Sequence, residues 1–511
     1  MTLRTKLTAT SIALAAACIT VPASAHGFGQ RYDLPIPLNY FILAAAATVL
    51  LSFIILGFFV RDTSHDLRYP RLNLFTIPIL GSVLHHPTLL IAIRILAIAV
   101  FGLTLGTAFL GVNRPVENFS VVFVWIIWWV GMGYISALFG NLWNLMNPWK
   151  IIFEWVEKLT SMNTAQGNQG LHSYPDRLGV WPGLILLFIF AWMENVYNDA
   201  ALPSRLGILI MVYSTITWAG MITFGKHTWL RHGEAFSILF SLFARFSPSE
   251  IRVTERRACR DCCNCSVQSE DCVDCYECFE RSEHSAQEFN LRPYAIGLTN
   301  KHNVTASMAI FVVLMLGTVT FDGVSETAPW MDIQTSIITI VKSLPWDPFD
   351  VVDSFGLLAV QIIFWAVYLI FSWFIGKLEG RGDIPFDIAK AFVFSLIPIA
   401  LAYNLAHFVS LLAIQGQGLI PLASDPFGFG WDIFGTSDYR LNLTIISATF
   451  VWWVSILSIV TGHVVSVYIA HLVALRRMRN PSLAIKTQYP MLVLMLIYTA
   501  TSLWIIAQPI I

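Results

Sequence analysis

Apolar residues in this chain are not scattered on one face of short amphipathic elements. They run almost unbroken for spanning lengths, and polar or aromatic-rich links separate the runs. Ten runs are seen: Leu38–Val60, Leu89–Leu110, Phe119–Gly140, Leu178–Asn198, Leu206–Gly225, Val304–Phe321, Ser354–Ile375, Ala391–Ile414, Leu443–Ala470 and Met491–Ala507. At about 1.5 Å per residue, each crosses a hydrocarbon core of about 30 Å as a helix. No period-2 alternation recurs in segments of about ten residues, so the pattern of a transmembrane barrel is missing. The predicted fold is all-α, a polytopic bundle of about ten transmembrane helices.

Three links are themselves patterned. Asn141–Leu159 and Gly233–Phe246 mix Trp and Phe with charges and are too short or too polar to cross. Both are predicted to lie as amphipathic helices on the inner membrane surface. Ile333–Leu344 is apolar but short and carries Lys342, which suits an interfacial or re-entrant segment.

The first residues follow a different logic. Arg4 and Lys6 precede a short apolar stretch, Leu7–Val21, and then Pro22-Ala23-Ser24-Ala25. This is the grammar of a secretory signal with an A-x-A site, and cleavage after Ala25 makes His26 the mature terminus. Ala15-Ala16-Ala17 before Cys18 is a poor lipoprotein signal.

Charge then sets the sides. Loops carrying Arg61, Arg68, Arg71, Lys150, Lys158, Lys226, Arg231, Lys301, Lys377, Arg381, Lys390, Arg476, Arg477, Arg479 and Lys486 alternate with loops holding mainly Arg114, Arg205, Lys342 and Arg440. The positive-inside rule places the first set in the cytoplasm and both mature termini in the periplasm of a bacterial inner membrane. The expected organisation is a signal peptide (1–25), spans one to five (26–225), a cytoplasmic loop with an interfacial helix and a cysteine cluster (226–303), and spans six to ten (304–511).

Composition adds exclusions. The chain is 56% hydrophobic and only 12% charged, with a mean hydropathy of +0.65. Soluble domains carry about twice that charge. A net charge of −1 gives no electrostatic footprint for nucleic acid. The partners implied are the bilayer and a small lipophilic substrate, and a partner subunit is left open.

Two groups of residues carry chemistry. Cys259, Cys262, Cys263, Cys265, Cys272, Cys275 and Cys278 are seven of the eight cysteines and fall within one short loop, CRDCCNCSVQSEDCVDCYEC. Cytoplasmic thiols stay reduced, so a disulfide framework is the weaker reading. C-x2-C pairs such as Cys262/Cys265 and Cys272/Cys275 suit two thiolates on one tetrahedral zinc ion. An iron–sulfur cluster is the alternative, although the Cys-Pro that ends the ferredoxin run is missing.

Acids and imidazole collect at the other side. Glu194 and Asp199 end span four, Asp322 and Glu326 end span six, and His407 lies within span eight. The loop after span eight contains Asp425, Asp432 and Asp438. An intramembrane ionisable group is costly, and the readings for His407 are a functional group or an interhelical hydrogen bond. As a mature terminus, His26 offers an α-amine and an imidazole, and with His407 this would form a histidine brace favouring copper.

The stretches AHGFGQRYDLPIPLNYF, ENFSVVFVWIIWWVG, LWNLMNPWK, WLRHGEAFSILFSLFAR, FDGVSET, ALAYNLAHFVSLLAIQGQ, LASDPFGFGWDIFGTSDY and GHVVSVYIAHLVAL together resemble the bacterial membrane-protein family named for fenitrothion hydrolysis, over nearly the whole chain. The resemblance implies hydrolysis of aryl phosphorothioate triesters in the cell envelope. It assigns no catalytic residues, and the cysteine cluster stands outside it. On that reading Asp322, Glu326 and His407 are expected as metal ligands or general base in a metal-assisted periplasmic site. His26 would be a further ligand, and Asp425 and Asp432 part of a lid. No G-x-S-x-G or H-E-x-x-H is present. The competing expectation is a copper or iron–sulfur membrane protein for redox chemistry or metal handling.

Overall fold

The computed structural model describes residues 24–27, 30–60, 69–160, 170–255, 259, 262, 272–299, 304–380, 384–478 and 480–508. Among these, ten helices are long and apolar enough to cross a membrane. We number them α1 (Leu38–Phe59), α2 (Pro87–Leu110), α3 (Phe119–Phe139), α4 (Asp176–Asn195), α5 (Pro203–Phe224), α6 (Ala306–Ser325), α7 (Pro348–Glu379), α8 (Pro385–Ser424), α9 (Ala448–Arg477) and α10 (Pro481–Ile506). The architecture is that of a multi-pass membrane protein.

Proline sets several helix starts. Pro87, Pro203, Pro348, Pro385 and Pro481 each occupy the first turn, where the missing N–H has no partner to lose. At the start of α7, Asp347 also accepts the Phe349 N–H at 2.8 Å. That helix ends on Gly380, whose φ of 67° is the left-handed stop that glycine adopts without strain.

Burial ranks the helices. Two thirds of the α6 window (67%) is enclosed against only 6% for α2, so α6 is central and α2 faces lipid. The α6 helix packs on α4, α7 and α8, and α8 packs along α9. That last crossing is close because Gly462 has no side chain: a Cβ there would meet the Ala402 Cβ at 2.4 Å. Small residues permit this approach in membrane bundles.

The expected interfacial helix at Gly233–Phe246 is a correction. Its helical part, Ala235–Ala244, lies inside the core, with Phe236, Ile238, Leu239, Phe240 and Leu242 all buried. Apart from Ser237 and Ser241 it is apolar, and so apolar a helix belongs in an interior. The buried Glu234 starts it, accepting the N–H groups of Phe236 at 3.0 Å and Ser237 at 2.7 Å. Part of the expected 226–303 loop is thus built into the bundle. By contrast, Pro148–Leu159 keeps a charged face and an apolar one. The segment around Ile333–Leu344 is a helix, Ala328–Val341, lying against α7 and, at 14 residues, too short to cross.

Two small sheets sit on the bundle. β1 (Ser24–Gly27) and β2 (Gln30–Asp33) form an antiparallel hairpin against α9. β3 (Leu72–Asn73), β4 (Ser249–Val253), β5 (Cys272–Val273) and β6 (Gln287–Leu291) form a second sheet in the order β3-β6-β4-β5, all neighbours antiparallel. This second sheet carries the cysteines, at the end of the bundle where α6 begins.

Candidate functional site

The two groups of chemically active residues lie at opposite ends of α6. The thiol segment precedes its first residue, whereas Asp322 lies in its last turn, about 24 Å along the axis at 1.5 Å per residue.

At the far end, the last turns of α4 and α6 meet α8 about two turns before its α-helical stretch ends at Ile414. Asp322 from α6 and His407 from α8 meet directly, with His407 Nε2 2.9 Å from Asp322 Oδ2. Both side chains keep some exposure, 17% and 21%. Glu194 comes from the last turn of α4, where Trp129 Nε1 donates to its Oε1 at 2.5 Å. Trp129 directly follows a π-helical stretch of α3, Phe123–Trp128, and such insertions re-aim side chains at functional sites. Glu326 caps α6 at the rim, in the electrostatic range of His407 and Asp322.

One turn before His407 on α8, Tyr403 is buried (1%), and its ring stacks toward His407 with centroids 6.5 Å apart. Among the described residues its hydroxyl has no hydrogen-bond partner. Gly323, next to Asp322, makes room for that hydroxyl, since a Cβ there would lie 2.7 Å from it. A row of polar side chains continues inward from Tyr403 through Tyr498, whose hydroxyl lies 2.6 Å from Thr320 Oγ1 and whose ring lies 5.8 Å from that of His463. His463 Nδ1 bonds the Ile459 carbonyl at 2.8 Å. His471 is fixed more firmly, with its two ring nitrogens on Gln488 at 3.0 Å and on the Val60 carbonyl at 2.8 Å.

Thus Asp322 and His407, singled out in the sequence, are in contact, with Glu326 at their edge. Sequence reasoning placed Glu194 at this end without assigning it to the site, and it missed Tyr403 and Trp129. The i, i+4 spacing of Tyr403 and His407 on one helix face was the available signal. Asp425 and Asp432 organise their own loop. Asp425 accepts the N–H groups of Phe429 at 2.9 Å and Gly430 at 2.7 Å, and Asp432 that of Ser437 at 3.0 Å. These turn bonds use the carboxylates that a lid would need to bring to the site. His26 lies in β1, and its side chain is outside the described residues. Arg94 is held at the thiol end by Glu154 at 3.0 Å.

Among the described residues, the only groups of three ligand atoms close enough to share an ion are thiols. One is Cys259, Cys272 and Cys278; the other is Cys262, Cys275 and Cys278. Each set lies within 4.8 Å, and within the second set Cys262 and Cys275 are 3.6 Å apart and Cys275 and Cys278 3.5 Å. All of these cysteines but Cys259 are buried. The cluster can therefore hold a metal ion. Cys263 and Cys265 lie outside the described residues. The expectation that Cys272 and Cys275 serve one ion as a pair is corrected, because they fall in different groups. Between them Asp274 adopts a left-handed φ of 55°, which turns the chain from β5 into the helix Tyr276–Arg281.

Ion pairs lock this unit to the bundle. Buried Lys150 reaches Glu280 at 2.5 Å, and Arg231 reaches Glu277 at 2.8 Å. Arg292, fully enclosed, bridges Asp274 at 2.9 Å and Glu250 at 3.1 Å. Burial opposes the Arg292 charge, but Asp274 and Glu250 outweigh it and raise its pKa. Arg71 and Tyr69 complete the network on Glu250. Burial and the neighbouring Glu250 push the Tyr69 hydroxyl up to about 12. Beside the thiols the field is positive. His227 is pulled down to about 3 by burial and then by Lys226, Lys150, Arg281 and Arg231.

An apolar recess of about 400 Å³ between α1 and α9, lined by Ile55, Phe246, Tyr294 and Tyr468 among others, contains none of these groups. Comparison with family models, with curated proteins and with solved structures finds no match to this chain.

Proposed function

We propose that the protein is a membrane-embedded hydrolase of lipophilic aryl organophosphorus triesters, fenitrothion being the type, with its site at the periplasmic end of the bundle. The single observation that carries this reading is the His407–Asp322 pair, a carboxylate-oriented imidazole with residual exposure inside an apolar bundle. In this role His407 takes a proton from water as the water oxygen bonds to phosphorus. Asp322 holds the ring and stabilises the imidazolium. The P–O(aryl) bond breaks, and a nitrophenolate leaves without needing a proton. The proton on His407 then returns to solvent. Tyr403, with its unpartnered hydroxyl, supplies a donor to the charged phosphoryl oxygen or sulfur, the interaction that contributes most in such transition states. The sequence resemblance and the lateral access of a bundle to membrane-dissolved substrate support the same reading. Turnover of fenitrothion to nitrophenol by purified protein tests it, and absence of any aryl-triester turnover would overturn it.

A second reading has its own support in the thiol groups, which are suited to metal. In it the protein handles metal or electrons across the membrane, with thiolates on the cytoplasmic side and copper at His26. Within the hydrolase reading the cysteine cluster is a zinc-stabilised cytoplasmic unit remote from the chemistry. Metal analysis and the visible spectrum separate the two. Intense charge-transfer bands and no esterase activity favour metal handling; colourless zinc protein with turnover favours hydrolysis.

A further inference from the structure

The thiol geometry goes further than a single ion. We propose that the cluster binds two divalent ions of the zinc class, bridged by the Cys278 thiolate, each held by three of the described thiols with a fourth coordination position left for a further ligand. One ion takes Cys259, Cys272 and Cys278, and the other takes Cys262, Cys275 and Cys278. This rests on the reading that the cysteines bind metal and adds the number of ions and their connection.

Three observations carry it. First, the described thiols resolve into two foci that share one sulfur, rather than one group of four. Two C-x2-C pairs, Cys259/Cys262 and Cys272/Cys275, each send one thiol to each focus, while a third, Cys275/Cys278, grips the second focus and through Cys278 reaches the first. Second, the spacing fits ligands of a common ion. With Zn–S near 2.3 Å, the edge of a tetrahedron is about 3.8 Å. The pairs at 3.6 and 3.5 Å match this edge, whereas a cubane cluster gives each thiolate its own iron and separates the sulfurs further. Third, the shared residue is placed as a bridge. Cys278 is completely enclosed (0%) and lies in the first turn of Tyr276–Arg281, between the two foci.

Charge agrees with two ions. Five thiolates on one divalent ion leave a triple negative charge in a buried unit, and a second ion reduces this to a single one. Arg231 is positioned to meet it, 3.9 Å from Cys262 Sγ and paired to Glu277.

Titrating the metal-free, detergent-solubilised full chain with Co(II) tests the proposal. Thiolate-to-cobalt absorption is expected to rise to two equivalents per chain. The EPR intensity per cobalt is expected to fall between the first and second, because a bridging thiolate couples the spins. Saturation at one equivalent overturns the bridge but leaves the metal reading standing, as do two equivalents with additive spin signals. No thiolate–cobalt band overturns both. In variants, Cys259→Ser and Cys262→Ser each retain one ion, whereas Cys278→Ser loses tight binding at both positions. If Cys278→Ser fails to fold, the wild-type spin titration still decides.

Discussion

The two ends of α6 solve the burial of charge in contrasting ways. At the thiol end several described charges meet counter-charges: Lys150 with Glu280, Arg231 with Glu277, and Arg292 with Asp274 and Glu250. At the other end a few polar groups sit among apolar helices with bonding capacity left over. His407 uses one ring nitrogen on Asp322, and Tyr403 leaves its hydroxyl unpartnered. A satisfied network fixes a shape, because removing any member strands another in low dielectric. Groups with spare valence inside a membrane are costly, and they persist where a substrate, an ion or a proton uses them. On the function proposed above, the thiol end serves architecture and the carboxylate–imidazole end chemistry.

The strongest way to break the contrast is to remove the imidazole. His407→Ala, or Asp322→Asn, is expected to reduce nitrophenol release by about 10²- to 10⁴-fold, the range for losing a general base. Elution volume and metal content at the cysteines should be unchanged. Turnover within threefold of wild type in folded protein would remove the pair from the mechanism. Tyr403→Phe should cost less, about 10- to 100-fold and mainly in kcat, since it removes one donor from the charged oxygen.

Stability should respond most to a residue that belongs to neither end. Glu234 caps Ala235–Ala244 and also accepts from Asn147 at 3.3 Å and from the Tyr213 hydroxyl. Glu234→Ala removes the cap and leaves buried donors without an acceptor, at about 1–3 kcal/mol for each group. Thermal unfolding in detergent should show this as one of the largest destabilisations of any single substitution in the bundle. A melting temperature within two degrees of wild type would mean that the internal helix does not depend on its cap.

The helix count was legible because lipid demands long apolar runs, and those need no tertiary context to be read. Asp322 and His407 were legible for the complementary reason, as ionisable groups out of place in such runs. Other features required the fold. Ala235–Ala244 reads as a surface segment because it is short and flanked by charges, yet its mostly apolar sides and the Glu234 cap send it inward. Leu72–Asn73 and Cys272–Val273 are two-residue strands that exist only through pairing with longer neighbours. Leu443–Ala470 was placed about one turn early because the apolar Leu443–Ile445 continues the run; the helix begins at Ala448, where Ser447 caps it at 3.1 Å. The partition of Cys272 and Cys275 into different groups depends on a left-handed Asp274 that no spacing rule encodes.

A smaller stability effect belongs to the α8–α9 crossing, which holds His407 in place. Gly462→Ala puts a Cβ 2.4 Å from that of Ala402 and 2.7 Å from the Pro398 carbonyl, so the helices must separate. Overpacking of this kind costs about 1–3 kcal/mol. KM is expected to shift less than kcat, because the displacement acts on the orientation of His407 rather than on the substrate's apolar contacts.

The smallest expected effect is the most discriminating between the two ends. Cys272→Ser combined with Cys275→Ser removes one thiol from each focus and should release bound metal and lower the melting temperature. Nitrophenol release at a temperature where the variant is folded should nevertheless stay within about twofold of wild type. The reason is distance and rigidity together. About 24 Å of α6 lies between its thiol end and Asp322, and the sheet unit that carries the thiols is anchored to the bundle by Lys150 and Arg231, with Arg292 tying its strands together, independently of the metal. A loss of turnover in folded, metal-depleted protein would show that the two ends are coupled. The thiol cluster would then be part of the reaction, and the metal-handling reading would replace hydrolysis as the account of the whole molecule.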